Sequence, residues 1–305
     1  MPQDFHRFSP HRLTAIALNT VTQLLRMKII PFVAVFCLVV VAAGFVFPVF
    51  NPHHAAEQQL VQIKSWSLGA MFFFSTIIAI AATALLLPRD VEDRTLYTIL
   101  AKPVPRLDYL LGKLLGVLII IAGGILVMDV VFCAVLALKE SMLIDELTHS
   151  VHDQFHDRAP DEVTAAVTSM SAAIHSQGLG WSLQAAVWSL FLKASVLATL
   201  ALLISCFASS TLFTVISAFC LFVMGHGVGM LRDYLFHGGI GWGEKLFTVL
   251  VAILCPDMTL FDAVDSVIAG NVIPFADLLH MTGIATLYVI GYFVVAHLIF
   301  VEKEL

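Results

Sequence analysis

Two charges stand where charge is expensive. Asp129 lies in the apolar run Leu114–Leu138 and Lys193 in the run Trp181–Phe207. An unpaired ion at the centre of a bilayer costs at least about 2.5–3.5 kcal/mol, so such residues pair, change protonation or line a polar path. Counted from Leu138 and Trp181, they sit roughly 14 and 18 Å deep at 1.5 Å per residue. Adjacent antiparallel helices bring those depths to one level. The expected arrangement is therefore an Asp129–Lys193 ion pair; the alternative is a snorkelling Lys193 with Asp129 protonated or facing a cavity. His149, His152 and His156 fall at i, i+3 and i+7, with Asp153 and Asp157 beside them. Imidazole with carboxylate suits zinc or copper. The chain scatters 12 histidines along its length, however, and a solvated histidine-rich face explains the trio without a metal. Gly225 and Gly229 form a G-x-x-x-G pair that admits a second helix backbone, from another copy of the chain or from this one. His226 between them reads as a core histidine.

Other chemistry is missing from the sequence. No nucleophile–base–acid constellation stands out. The five cysteines all lie in or beside apolar runs and form no CxxC pair, so no disulfide framework is implied. No G-x-x-x-x-G-K-[ST] occurs; Gly112-Lys113 is followed by Leu114. This chain is not expected to hydrolyse ATP by itself. Basic residues are few and hug the apolar runs, which argues against nucleic acid as a partner.

The elements that position these residues are set by hydropathy. Of 305 residues, 59% are hydrophobic and 12% charged, with mean hydropathy +0.93. A soluble domain carries about 25% charged residues. The expected fold is an all-α, polytopic membrane protein forming a single transmembrane domain over residues 1–305. Six spans are expected: 29–50, 68–87, 114–138, 181–207, 212–231 and 281–300. A shorter apolar run, Leu246–Cys255, suits a re-entrant or interfacial helix within the segment 232–280. Residues 8–28 carry Leu13, Ile16, Val21, Leu24 and Leu25 at near-helical spacing and read as an amphipathic helix lying in the membrane interface. Residues 139–180 form a long acidic outer loop with helical spacing of its apolar residues. With both termini inside, ten of the 16 Lys and Arg fall on the inner side and five on the outer, with Lys193 within a span. That asymmetry places both termini in the cytoplasm and the protein in the inner or plasma membrane. The Met1–Arg26 stretch lacks the pattern of a signal peptide.

The segment 89–113 is dense in both charge signs. Leu96, Ile99 and Leu100 form an apolar stripe, so a short helix is expected from Glu92 to Ala101, stopped by Pro103 and Pro105. A second helix starts near Arg106. A short helix jutting from the membrane with an apolar face needs a partner to cover it.

This segment resembles the coupling region of ABC-2 permeases: an acidic residue, then Gly-Thr or Arg-Thr, then Leu-x-x-Leu/Ile-Leu, then Pro-x-Ser-Arg, then Leu-x-Gly-Lys. The matching residues are Glu92, Arg94-Thr95, Leu96, Ile99, Leu100, Pro103, Arg106 and Leu111-Gly112-Lys113. Pro105 stands where Ser is usual and Arg94 where Gly is common. Thr22–Lys28, the stretch from Pro256 through Val264, and the charged ending after Phe300 are similar to further family features. The 139–180 loop is longer than the family usually carries. The resemblance implies an ABC exporter permease working with a second permease copy or paralogue. It also implies separate ATPase subunits that bind ATP and Mg. Glu92, Arg94, Thr95, Leu96, Tyr97, Ile99, Leu100, Pro103, Arg106 and Lys113 would meet the ATPase. It further implies that Gly225 and Gly229 lie near the permease–permease interface. A permease that passes ATP energy to an extracytoplasmic partner at 139–180 is one alternative. An ATP-independent secondary carrier is another, though the paired broken helices of such carriers are not seen.

Overall fold

Within a lipid core each backbone N–H and C=O must bond inside its own segment, so long apolar runs become helices. A computed structural model describes residues 10–26, 29–46, 56–92, 105–154, 160–208, 210–237, 241–243, 246 and 255–302. Among these residues the chain is helical, with no strand. The helices are α1 (Pro10–Arg26), α2 (Ile29–Phe45), α3 (Ala56–Glu92), α4 (Arg106–Gln154), α5 (Pro160–Ser176), α6 (Trp181–Phe207), α7 (Thr211–His237), α8 (Val264–Ile268) and α9 (Phe275–Glu302), with a 3-10 turn at Met258–Phe261.

Five of these, α3, α4, α6, α7 and α9, are long and apolar enough to cross a membrane. The sixth apolar helix, α2, has 17 residues, or about 26 Å at 1.5 Å per residue against a core of roughly 30 Å. Several helices outrun the expected spans. The 49 residues of α4 reach roughly 74 Å, because the backbone continues helical through the charged stretch after Leu138. The first 16 of the 42 residues expected as an acidic loop at 139–180 are thus the top of α4. Further along the same segment, Pro160–Ser176 form α5, opened by Pro160 at a first position that needs no N–H.

The central post is α6. Twenty of its 27 residues are buried, and it packs against α3, α4, α7, α8 and α9. Beside it, α1 lies along the first turns of α4, burying Ala17, Thr20 and Leu24. Close approach there requires glycine on α4. A Cβ on Gly112 would stand 2.7 Å from Ile16 Cγ2, and one on Gly116 would stand 2.5 Å from Thr20 Cβ.

Candidate functional site

The foot of α4 gathers three elements. Arg106 Nη1 donates to the carbonyl oxygens of Phe300 (3.2 Å) and Val301 (2.5 Å). These carbonyls belong to the last turn of α9, where no helical N–H remains to meet them and the helix dipole is negative. One turn on, the fully buried Tyr109 stacks on Phe300, with centroids 5.9 Å apart and planes 16° apart. Toward α1, Arg12 Nη2 lies 3.8 Å from Asp108 Oδ2, and Lys113 Nζ donates to Gln23 Oε1 at 3.3 Å. The ammonium of Lys113 also sits 5.7 Å from the Tyr109 ring centroid. The start of α4 therefore holds α1 on one side and the end of α9 on the other.

This geometry corrects part of the expected ATPase-contact set. Lys113 is 2% exposed and faces α1, so it offers no surface to another chain. Arg106 is half-buried and its guanidinium is committed to α9. Glu92 is the last helical residue of α3. Arg94, Thr95, Leu96, Tyr97, Ile99, Leu100 and Pro103 lie outside the described residues. Arg106→Ala removes a charged donor from two helix-end carbonyls, a change worth about 1.5–3 kcal/mol. Amide exchange in the last two turns of α9 should then speed up about tenfold or more, with Arg106→Lys intermediate.

The expected Asp129–Lys193 pair does not form. Lys193 Nζ pairs with Asp262 Oδ1 at 2.5 Å, and its ammonium sits 4.7 Å from the Phe72 ring centroid. Asp129 Oδ1 instead accepts from Gln184 Nε2 at 3.4 Å, with Cys133 Sγ at 3.5 Å. Asp129 is thus level with the first turn of α6, nine residues and about 14 Å from Lys193 along that helix. The depth count used Leu138 as a helix end, and α4 does not end there.

Asp262 belongs to a turn inserted into the bundle. The chain from Pro256 to Asp262 reaches the middle of α6, where Lys193 is the thirteenth of 27 residues. Met258 and Phe261 are fully buried. Asp257 caps the 3-10 turn, accepting from Thr259 N (3.0 Å) and Thr259 Oγ1 (2.6 Å), and its own N–H donates to Tyr288 Oη at 3.4 Å. The turn rests on α7. A Cβ on Gly225 would stand 2.6 Å from the Pro256 carbonyl oxygen, and one on Gly229 would stand 2.5 Å from Thr259 Oγ1. The glycine pair expected at a permease–permease interface packs inside the chain. Between the two glycines, His226 Nδ1 lies 3.0 Å from Phe222 O and its ring contacts Phe222, as a core histidine does. The expected short re-entrant run, Leu246–Cys255, lies mostly outside the described residues; the insertion that is seen begins just after it.

Beyond the spans, α5 is tied back to the bundle. His175 Nδ1 is 2.7 Å from Glu140 Oε1, and Lys64 Nζ donates to Gln177 Oε1 at 2.7 Å. Gly270, at φ +84°, turns the chain after α8 against Gln177. Of the histidine trio, His149 is exposed on α4, the side chain of His152 and the whole of His156 lie outside the described residues, and no group of three or more metal-ligating side chains occurs among the described ones. Sequence reasoning missed Asp262, Phe72, Glu140, His175 and Gln177. Asp262 alone carried a signal, as an acidic residue flanked by Phe261 and Ala263-Val264 in a segment already singled out.

No curated protein matches the sequence. Residues 3–232 match the family model described as ABC-2 family transporter protein, a stretch that holds α1 to α6, most of α7 and the whole foot of α4 except its α9 contacts. With about three quarters of its length matched, the chain belongs to the ABC-2 family of transporter proteins, whose members are membrane subunits of ABC transporters.

Proposed function

We propose that this chain is the transmembrane permease subunit of an ATP-driven exporter, with both termini cytoplasmic and α2 serving as a sixth span. A separate ATPase binds ATP and Mg and pushes on residues 92–106. The observation that carries this reading is the foot of α4. The stretch 93–104 connects Glu92 of α3 to the start of α4, where Arg106, Tyr109 and Lys113 join α4 to α9 and α1. A push there moves three helices together. A second permease copy or paralogue completes the transporter through a surface other than Gly225 and Gly229.

A second reading has its own support. The top of α4 and α5 form a helical pair, joined to each other by Glu140–His175 and held to α3 by Lys64–Gln177. A loop with no role needs no such locks. As a docking surface, this pair would pass ATP energy to an extracytoplasmic protein without substrate crossing.

Gentle co-purification of the tagged chain from its host, with mass spectrometry of its partners, tests both readings. The permease reading expects a Walker-A ATPase that is lost with Leu96→Asp/Leu100→Asp. Recovery of an additional extracytoplasmic protein, lost on trimming residues 139–180, selects the second reading. Recovery of no ATPase contradicts both and favours an ATP-independent carrier.

A further inference from the structure

The helix α6 is buried almost all round, yet one stripe at its Trp181 end is open. Trp181 is 59% exposed and Trp188 42%, with the exposed Gln184 between them. These positions, i, i+3 and i+7, lie on one face of the helix. Neighbouring helices frame the stripe. On the α4 side stands Asp129, its carboxylate half-exposed and held by Gln184 Nε2 at 3.4 Å. On the α9 side Thr282 Oγ1 accepts from Trp188 Nε1 at 3.0 Å. The Phe191 ring, 5.3 Å from that of Trp188, closes the lower end.

Asp129 lies inside a membrane-spanning helix, and among the described residues no basic side chain pairs with it. Lys193, expected as its partner, is taken by Asp262. Tryptophans at a membrane interface sit at headgroup level; these two stand one helical turn to either side of Gln184, the residue that holds the Asp129 carboxylate. A carboxylate whose Gln184 partner has an exposed indole one helical turn to either side is complementary to an organic cation, which gains ion pairing from the carboxylate and finds aromatic rings close by. The stripe opens on the side of the bundle, so its occupant arrives through the bilayer.

We propose that Asp129, Gln184, Trp181 and Trp188 form the cargo-contact site of the permease, and that the cargo is a membrane-partitioning organic cation carrying an ammonium or similar charged centre. The site gives a substrate class to the permease reading and rests on it.

Tetraphenylphosphonium serves as the probe. Its binding is followed by tryptophan quenching on the full chain in phosphatidylglycerol nanodiscs, with and without the co-purified ATPase. Saturable binding is expected, weakened about tenfold or more by Asp129→Asn, largely restored by Asp129→Glu, and not competed by the isosteric anion tetraphenylborate. Equal affinity in Asp129→Asn, or equal binding of the anion, overturns the proposal. So does loss of binding when phosphatidylethanolamine is added, which would make a lipid amine the occupant. A disulfide-linked homodimer formed through Trp188→Cys would make the stripe a subunit interface and overturn it too. Cation binding without any ATPase response counts against the permease reading alone and leaves the site standing.

Discussion

Asp262→Ala is expected to destabilise the protein by about 2 kcal/mol, because it leaves Lys193 buried without its counter-charge. Breaking a fully buried pair costs roughly 3–5 kcal/mol. The Asp262 side chain keeps 44% of its exposure, so surrounding polar medium offsets part of that loss. Lys193 is only 5% exposed and has the Phe72 ring beside it, which softens the loss without replacing a carboxylate. Removing both charges, as Lys193→Met/Asp262→Asn, should recover much of the stability, since a well-packed apolar pair often matches a buried ionic one. The coupling energy in that cycle should exceed about 1 kcal/mol, whereas Asp129→Asn with Lys193→Met should be additive within about 0.5 kcal/mol. Thermal unfolding in detergent reads both cycles. Additivity of Lys193 with Asp262, or coupling of Lys193 to Asp129, would contradict the placement of the inserted turn.

Two of three glycines on one helix give the second large effect. Gly225→Ala sets a methyl 2.6 Å from the carbonyl oxygen of Pro256, a backbone atom that can move only if the whole turn moves. Overpacking of this kind costs about 1–3 kcal/mol and sometimes more. Gly229→Ala meets Thr259 Oγ1 at 2.5 Å, an atom held by Asp257, and should cost somewhat less. Thr259→Ala removes that obstacle and should rescue Gly229→Ala in part, with no benefit to Gly225→Ala. Gly227 has nothing within 4 Å of its would-be Cβ. Gly227→Ala should therefore be neutral or stabilising by up to about 1 kcal/mol, through helix propensity. A loss of dimer with unchanged monomer stability in Gly225→Ala would return this face to a subunit interface.

The five long apolar helices were legible because hydrocarbon leaves the backbone no option but helix. The hairpin between Phe207 and Thr211 fell where the polar Ser209-Ser210 pair interrupts the apolar run. Helix ends were harder to read, since a helix does not stop where the lipid stops. The start of α3 at Ala56 and the continuation of α4 to Gln154 are polar stretches held helical by packing and by bonds such as Lys64–Gln177. That error propagated into the ion pair, because the partners were matched by depth from an end that did not exist. The partner of Lys193 came from 69 residues away, on a turn whose insertion depends on glycines that read equally well as an intermolecular seam. Pattern gives a helix its face, and only the packed structure says what covers that face. The amphipathic pattern of residues 8–28 had the same limit: of Leu13, Ile16, Val21, Leu24 and Leu25 only Leu24 is buried and Leu25 is exposed, while Ala17 and Thr20, outside that stripe, meet Gly112 and Gly116 on α4.

The most direct test of the central claim is site-specific photo-cross-linking in whole cells, with the reactive residue placed in turn at Tyr97, Leu100 and His149. An adduct with a Walker-A ATPase is expected from Tyr97 or Leu100 and none from His149, which lies toward the opposite end of α4 from Arg106. An ATPase adduct from His149, or its absence from both Tyr97 and Leu100, would contradict the assignment of residues 92–106 as the coupling segment.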